Sequence, residues 1–148
     1  MLPTITIDVG TTSVKLCQFD ADGRLLATGR YATPTVRDEH GEIYDLDALT
    51  GGIAAFIRGL EATSRAEVMR IAITGVGESG GLVRSDLSLA SPMILWHDQR
   101  GIDYLRRITS QERSRLYRIT GLPMNGNYGL SKIAWAVDRA DALGDAQW

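Results

Sequence analysis

Residues Ile7 to Lys15 read IDVGTTSVK: an apolar run ends in an acid, a glycine and three consecutive hydroxyl side chains ahead of a lysine. The stretch is neither GxxxxGK[ST] nor a GxGxxG opening a helix, so the two common phosphate-loop patterns do not account for it. Its flanks decide what it is. Thr4 to Ile7 alternate and are rich in β-branched residues, Val14 to Phe19 form a second apolar run, and Arg24 to Ala32 form a third. Between the second and third lies Asp22-Gly23, a hairpin signal because glycine accepts the positive φ of a tight turn. The spacing predicts a three-strand antiparallel meander with Gly10 to Ser13 at its first hairpin tip.

Working outward, Pro34 to Gly41 is polar and turn-rich. Asp45 then caps a predicted helix whose apolar positions Leu46, Leu49, Ile53, Phe56, Ile57 and Leu60 keep helical spacing, weakened at Gly51 and Gly52. Val68 to Thr74 reads as a strand buried beside the meander. Leu82 to Ser85 and Met93 to Trp96 suggest a second pair of short strands, and helical spacing resumes at Ile102, Leu105 and Ile108. Thr109 with Glu112 makes a capping box for a helix reaching Ile119, with Gly121 and Pro123 as its stop. Ser131 is expected to cap a last amphipathic segment through Ile133, Ala134 and Val137, and no element is expected for the closing LGDAQW. The order β-β-β-α-β followed by helices indicates an α/β layer on a mixed sheet.

Composition limits the partners. The 148 residues are 44% apolar, enough for a real core, and the formal net charge of -2 gives no basic surplus for nucleic acid or anionic lipid. No stretch approaches the roughly 18 apolar residues of a membrane span. The amino terminus has no basic region followed by an apolar segment, so the expected setting is cytoplasmic. The only cysteine, Cys17, lies in an apolar strand pattern and reads as a buried, inert thiol.

The opening loop has a chemistry of its own. Gly10 lets backbone N–H groups approach an anion, while Thr11, Thr12 and Ser13 add hydroxyl donors. Asp8 suits a Mg²⁺, held directly or through water, and Lys15 adds positive charge on the same strand face as Ser13. The alternative from these nine residues alone is an ordinary turn in which Asp8 and Thr11 satisfy local backbone groups.

The longer stretch TITIDVGTTSVKLCQFDADGRLLA (4–27) resembles the first phosphate motif of the sugar kinase, actin and Hsp70 superfamily, and more narrowly the FGGY carbohydrate kinases. Three later blocks follow in the family's order. AITGVGESGGLVRSD (72–86) is similar to the sugar-site loop, with Glu78 at the glutamate of the glycerol kinase form. PMILWHDQRG (92–101) resembles P-x-x-x-W-x-D-x-R, matching Trp96, Asp98 and Arg100, with His97 at a variable position; the alternative for Asp98 and Arg100 is an internal ion pair that only holds the loop. TGLPMNGNYGLSKIAWA (120–136) resembles the TGLP…KLxWL stretch, where Tyr128 flanks the sugar and Lys132 and Trp135 are read as packing and surface residues.

The resemblance implies a ribonuclease-H-like α/β fold and, for the intact enzyme, transfer of the γ-phosphoryl of ATP with Mg²⁺ to a sugar or polyol. Asp8 would assist the metal and the in-line geometry. Gly10, Thr11, Thr12, Ser13 and Lys15 would line the phosphates, and Glu78, Trp96, His97, Asp98 and Arg100 would shape the sugar pocket. The family's general base belongs to a later G-D-[QN] segment that does not occur here. Residues 1–148 are therefore expected to be the amino-terminal part of the first of two domains, inactive alone and prone to form a homo-oligomer. The rival reading is a sensor of the same fold that binds sugar or nucleotide without transfer; the WHDQR and TGLP blocks argue against an actin- or Hsp70-like ATPase.

Overall fold

β1 (Thr4–Val9), β2 (Ser13–Phe19) and β3 (Leu25–Ala32) form the expected antiparallel meander in the computed structural model, which describes residues 2–148. Alternation explains its faces. Ile5, Ile7, Val14 and Leu16 point to the core side and are at most 4% exposed, whereas Asp8 and Lys15 stand on the other side. The β2–β3 turn is set by Asp20, whose Oδ1 accepts from the N–H groups of Asp22 and Arg24, and by Gly23 at φ 85°. Cys17, expected buried, is half-buried, because it shares the open face with Lys15.

Beyond the meander come β4 (Thr35–Arg37), β5 (Glu42–Tyr44), α1 (Leu46–Gly59), α2 (Ala62–Ala66) and β6 (Arg70–Gly75). The chain separates into two compact units: one takes the residues up to Pro34 with Asp45–Val76, the other Thr35–Tyr44 with Gly77–Trp148.

The first unit is the sheet β3-β2-β1-β6 with α1 and α2. Asp45 caps α1 as predicted, its Oδ1 accepting from the Ala48 N–H at 3.0 Å. Of the two glycines inside α1, Gly52 has a counterpart in packing, since the ring of Tyr31 occupies the space a side chain there would need, and its hydroxyl donates to the Leu49 carbonyl. Helix α2 has no apolar period to announce it. It starts at Glu61, where bonds from the Thr63 hydroxyl and the Ser64 and Thr63 N–H groups hold the carboxyl at about 2.

Strand β6 pairs with β1 in parallel, in register from Thr4↔Arg70 to Val9↔Gly75. Burial is where it departs from expectation. Ile71 and Ile73 face the same side as Ile5 and Ile7 yet are 53% and 73% exposed, because β6 is the sheet's edge.

The second unit is built around Leu82, Ile94, Trp135 and Ala136. Its first segment, expected as turns, is instead the β4–β5 hairpin, with Asp38 Oδ1 accepting from the N–H groups of His40 and Gly41 at the bend. The second strand pair is reduced to isolated bridges, Gly80↔Ile94, Val83↔Leu89 and Val83↔Gln147. The last of these anchors the closing LGDAQW segment, through Val83 N–H to Gln147 O at 2.8 Å and its return at 2.9 Å.

Three helices complete the unit: α3 (Ile102–Arg106), α4 (Ser110–Thr120) and α5 (Gly129–Arg139). Both halves of the Thr109–Glu112 capping box are present, and Gly121 at φ 71° stops α4. Ser131 does not cap α5. It lies inside the first turn, fully buried, and donates to the carbonyls of Gly126 and Tyr128. No helix among the described residues is long and apolar enough to cross a membrane.

Candidate functional site

The β1–β2 turn is tight: Gly10 N–H donates to the Ser13 carbonyl at 3.2 Å, leaving Thr11 and Thr12 exposed at the tip. Ser13, expected beside them, begins β2 and is only 9% exposed. Its contribution to the turn is therefore the carbonyl that closes it. Asp8 and Lys15 are direct cross-strand partners, with Lys15 Nζ 3.3 Å from Asp8 Oδ2 and side chains 40% and 56% exposed. Water screens a pair this open, so it holds little energy and both groups are accessible to a ligand.

Among the described residues no group of three or more His, Cys, Asp or Glu side chains is gathered for a metal. A Mg²⁺ does not need one, since it commonly takes one or two carboxylates and fills its octahedron with phosphate oxygens and water. A single hard, accessible carboxylate beside an exposed turn of hydroxyl side chains fits that donor set, and Asp8 is the residue that would hold it.

In the second unit, Glu78 occupies the left-handed region at φ 65° and its Oε2 accepts from the N–H of Gly129, the first residue of α5. A carboxylate is favoured there by the unpaired N–H groups and positive end of the helix. Glu78 also lines a cavity of about 220 Å³ with Asn125, Tyr128, Gly129, Met124 and Leu116. A more open depression of about 460 Å³ along α4 contains none of the expected residues.

Trp96 and His97 meet edge to face at 5.4 Å, and the Trp96 backbone N–H donates to Ser79 Oγ at 2.8 Å. His97 Nε2 lies 3.0 Å from Glu42 Oε2, while Glu42 Oε1 accepts from the Thr35 hydroxyl at 2.6 Å. The Thr35 hydroxyl, and then His97, hold the Glu42 carboxyl below its ordinary range. Glu42 was not foreseen. It lies in the passage GEIYDLD, where a lone acid beside a short hairpin gives no signal of its own.

Asp98 and Arg100, expected either to read polyol hydroxyls or to pair internally and hold the loop, have side chains 0% and 1% exposed and form that internal pair. Arg100 Nε and Nη2 donate to Asp98 at 3.0 and 2.9 Å, and both Nη atoms donate to Asp38 at 2.9 Å. Asp98 Oδ2 also accepts from the Glu42 N–H at 2.8 Å. Burial works to raise the Asp98 pKa, but these bonds outweigh it and hold the carboxyl below its usual range. The guanidinium covers the Trp135 ring at 4.9 Å, with Arg139 also at 4.9 Å. Every donor of Arg100 that points at an acid is used, so the pair fixes the Trp96–His97 loop to the β4–β5 hairpin.

Lys132, read with Trp135 among packing and surface residues, is a packing one. It is fully buried, Nζ donates to the Gly126 and Tyr128 carbonyls at 2.9 and 3.4 Å, and burial pushes its pKa down against the charges of Asp98 and Glu78. The loop it holds carries Tyr128 to the cavity wall.

The sequence pattern of the FGGY family of carbohydrate kinases, N-terminal domain, matches residues 4–143. A glycerol kinase of Burkholderia pseudomallei is 27% identical over 151 aligned positions, covering 93% of this chain and 29% of that protein. Among solved structures, the xylulose kinase of Lactobacillus acidophilus superposes with a TM-score of 0.75 at 20% identity, covering 98% of this chain and 30% of its own. The gluconate kinase of the same organism gives 0.73 at 20% identity, with 92% and 28% covered. The chain thus spans less than a third of the length of these proteins, and its fold is the ribonuclease-H-like one.

Proposed function

Because the chain belongs to the FGGY family of carbohydrate kinases, we propose that the whole protein transfers the γ-phosphoryl group of ATP to a hydroxyl of a sugar or polyol. The match over residues 4–143 carries this reading. The geometry supports it with an exposed Thr11–Thr12 turn flanked by an accessible acid and cation in one unit, and a walled carboxylate in the other.

Phosphoryl transfer asks little covalent chemistry of a protein and much electrostatics. The acceptor hydroxyl loses its proton to a base, its oxygen bonds to Pγ, the bridging bond breaks and ADP leaves. In this reading the N–H groups and hydroxyls of Thr11 and Thr12 surround phosphate oxygens, Gly10 lets the backbone approach them closely, and its bond to the Ser13 carbonyl closes the turn. Lys15, released from Asp8, offsets the phosphate charge. A Mg²⁺ would supply charge neutralisation on the phosphates, with Asp8 as its protein ligand. Glu78 and Tyr128 read acceptor hydroxyls while Trp96 gives an apolar wall for carbon faces and His97 donates from the loop. Asp98 and Arg100 act through that loop, as positioning residues. The general base is assigned to chain outside residues 1–148, so these residues alone are expected to be silent. The cytoplasm, where ATP is plentiful, is the compartment this chemistry fits.

The test is ATP-dependent phosphorylation by the full-length protein across pentuloses, polyols and sugar acids. We expect one acceptor to turn over, and Asp8→Asn to lower kcat by at least about a hundredfold with little change in acceptor KM. Tight acceptor binding with no transfer from ATP would favour a sensor instead.

A further inference from the structure

Across the open face of the first unit's sheet, one row of cross-strand partners runs Arg30, Lys15, Asp8, Thr74. Direct partners point to the same side with Cβ atoms about 5 Å apart, so two cations, Arg30 and Lys15, stand next to each other. Lys15 has Asp8. Arg30 is exposed, and among the described residues its guanidinium has neither an ion pair nor a hydrogen bond. Its same-face neighbours along β3 are Thr28 and Ala32, and Ser13 and Cys17 flank Lys15 on β2, so no second carboxylate serves the row.

Like charges directly opposite on a sheet destabilise it, and such a pair is expected where an anion relieves the repulsion. Lys15 already belongs to the proposed phosphate turn. Arg30 sits one strand further along the same row, and a guanidinium offers a planar fork that matches two phosphate oxygens.

We propose that Arg30 is a second phosphate-binding cation beside Lys15, the two forming an anion subsite for the polyphosphate of the nucleotide. This rests on the kinase reading above and extends it, because neither the turn pattern nor the family blocks include residue 30. The site is oriented by β-sheet register, so its geometry does not depend on a loop rearrangement.

The experiment uses full-length protein, inorganic tripolyphosphate as the probe, calorimetry for affinity and thermal melting for stability. Arg30→Met is expected to weaken tripolyphosphate binding about tenfold, the effect of losing one charge-assisted hydrogen bond. The same variant should melt no lower than wild type without ligand, since a repulsion has been removed. Arg30→Lys should bind within about threefold of wild type, as charge is kept and the fork lost. Wild-type affinity in Arg30→Met, or a lower melting temperature without ligand, would overturn the assignment alone. If wild-type protein binds neither tripolyphosphate nor ATP, the kinase reading falls with it.

Discussion

Arg100 shows how a residue that resembles a ligand-reading group can be wholly occupied inside the fold. Its guanidinium is 1% exposed and shared between Asp98 and Asp38. Deleting it leaves an uncompensated buried carboxylate, so Arg100→Ala is expected to cost about 3–5 kcal/mol, measured by urea unfolding. Asp98 gives the pH dependence. Its folded pKa lies below the ordinary 3.8, so the stability it contributes is fully present above that value and is lost as pH falls through the folded one. Urea midpoints should therefore drop below about pH 4 in the wild type, and more shallowly in Asp98→Asn, which starts lower at neutral pH. An unchanged acid limb in that variant would assign the loss to other carboxylates such as Asp38, which Arg100 also holds below its usual range against burial.

At the scale of elements, the junction between the WHDQR loop and α3 depends on a missing side chain. Gly101 caps α3 at φ 81°, and a Cβ there would run into the Ser131 carbonyl oxygen on α5. Both the backbone conformation and the contact oppose any larger residue, so Gly101→Ala is expected to destabilise by more than about 2 kcal/mol in chemical denaturation. The elements that could be read in advance were those with local causes: the Asp22-Gly23 turn, the Asp45 cap and the Thr109–Glu112 box. The β4–β5 hairpin was not, because strands of three residues carry no period, and the strand pair read at Leu82 to Ser85 and Met93 to Trp96 folded only as isolated bridges. Ser131 misled for a related reason: a serine at a helix start is a cap by pattern, and only its neighbours Gly126 and Tyr128 show it facing inward.

For the molecule as a whole, the exposed edge of the sheet has a consequence. Met69, just before β6, is 69% exposed, and Ile71 and Ile73 within it are 53% and 73% exposed, on a strand with unpaired backbone groups on its outer side. Residues 1–148 in isolation are expected to self-associate with rising concentration in light scattering, and Ile73→Lys to shift them toward monomer. A monodisperse wild-type monomer at high concentration would contradict this.

By itself the sequence determined the meander, the capped helices and the family, because alternation, cap chemistry and four ordered motif blocks are written in neighbouring residues. It also put Gly10 to Ser13 at a hairpin tip and Lys15 on the strand face of Ser13, while the register that sets Asp8 opposite Lys15 came from folding. Tertiary structure alone decided which motif residues stay accessible and which are consumed inside. Ser13, Asp98, Arg100 and Lys132 have the residue types of a binding site, but their partners lie on other strands, hairpins and carbonyls that the chain brings together only by folding. It likewise set Arg30 beside Lys15, fifteen positions apart in sequence and adjacent across the sheet. Burial and pairing are properties of the packed whole, and a motif records only what a residue can do, not what already occupies it.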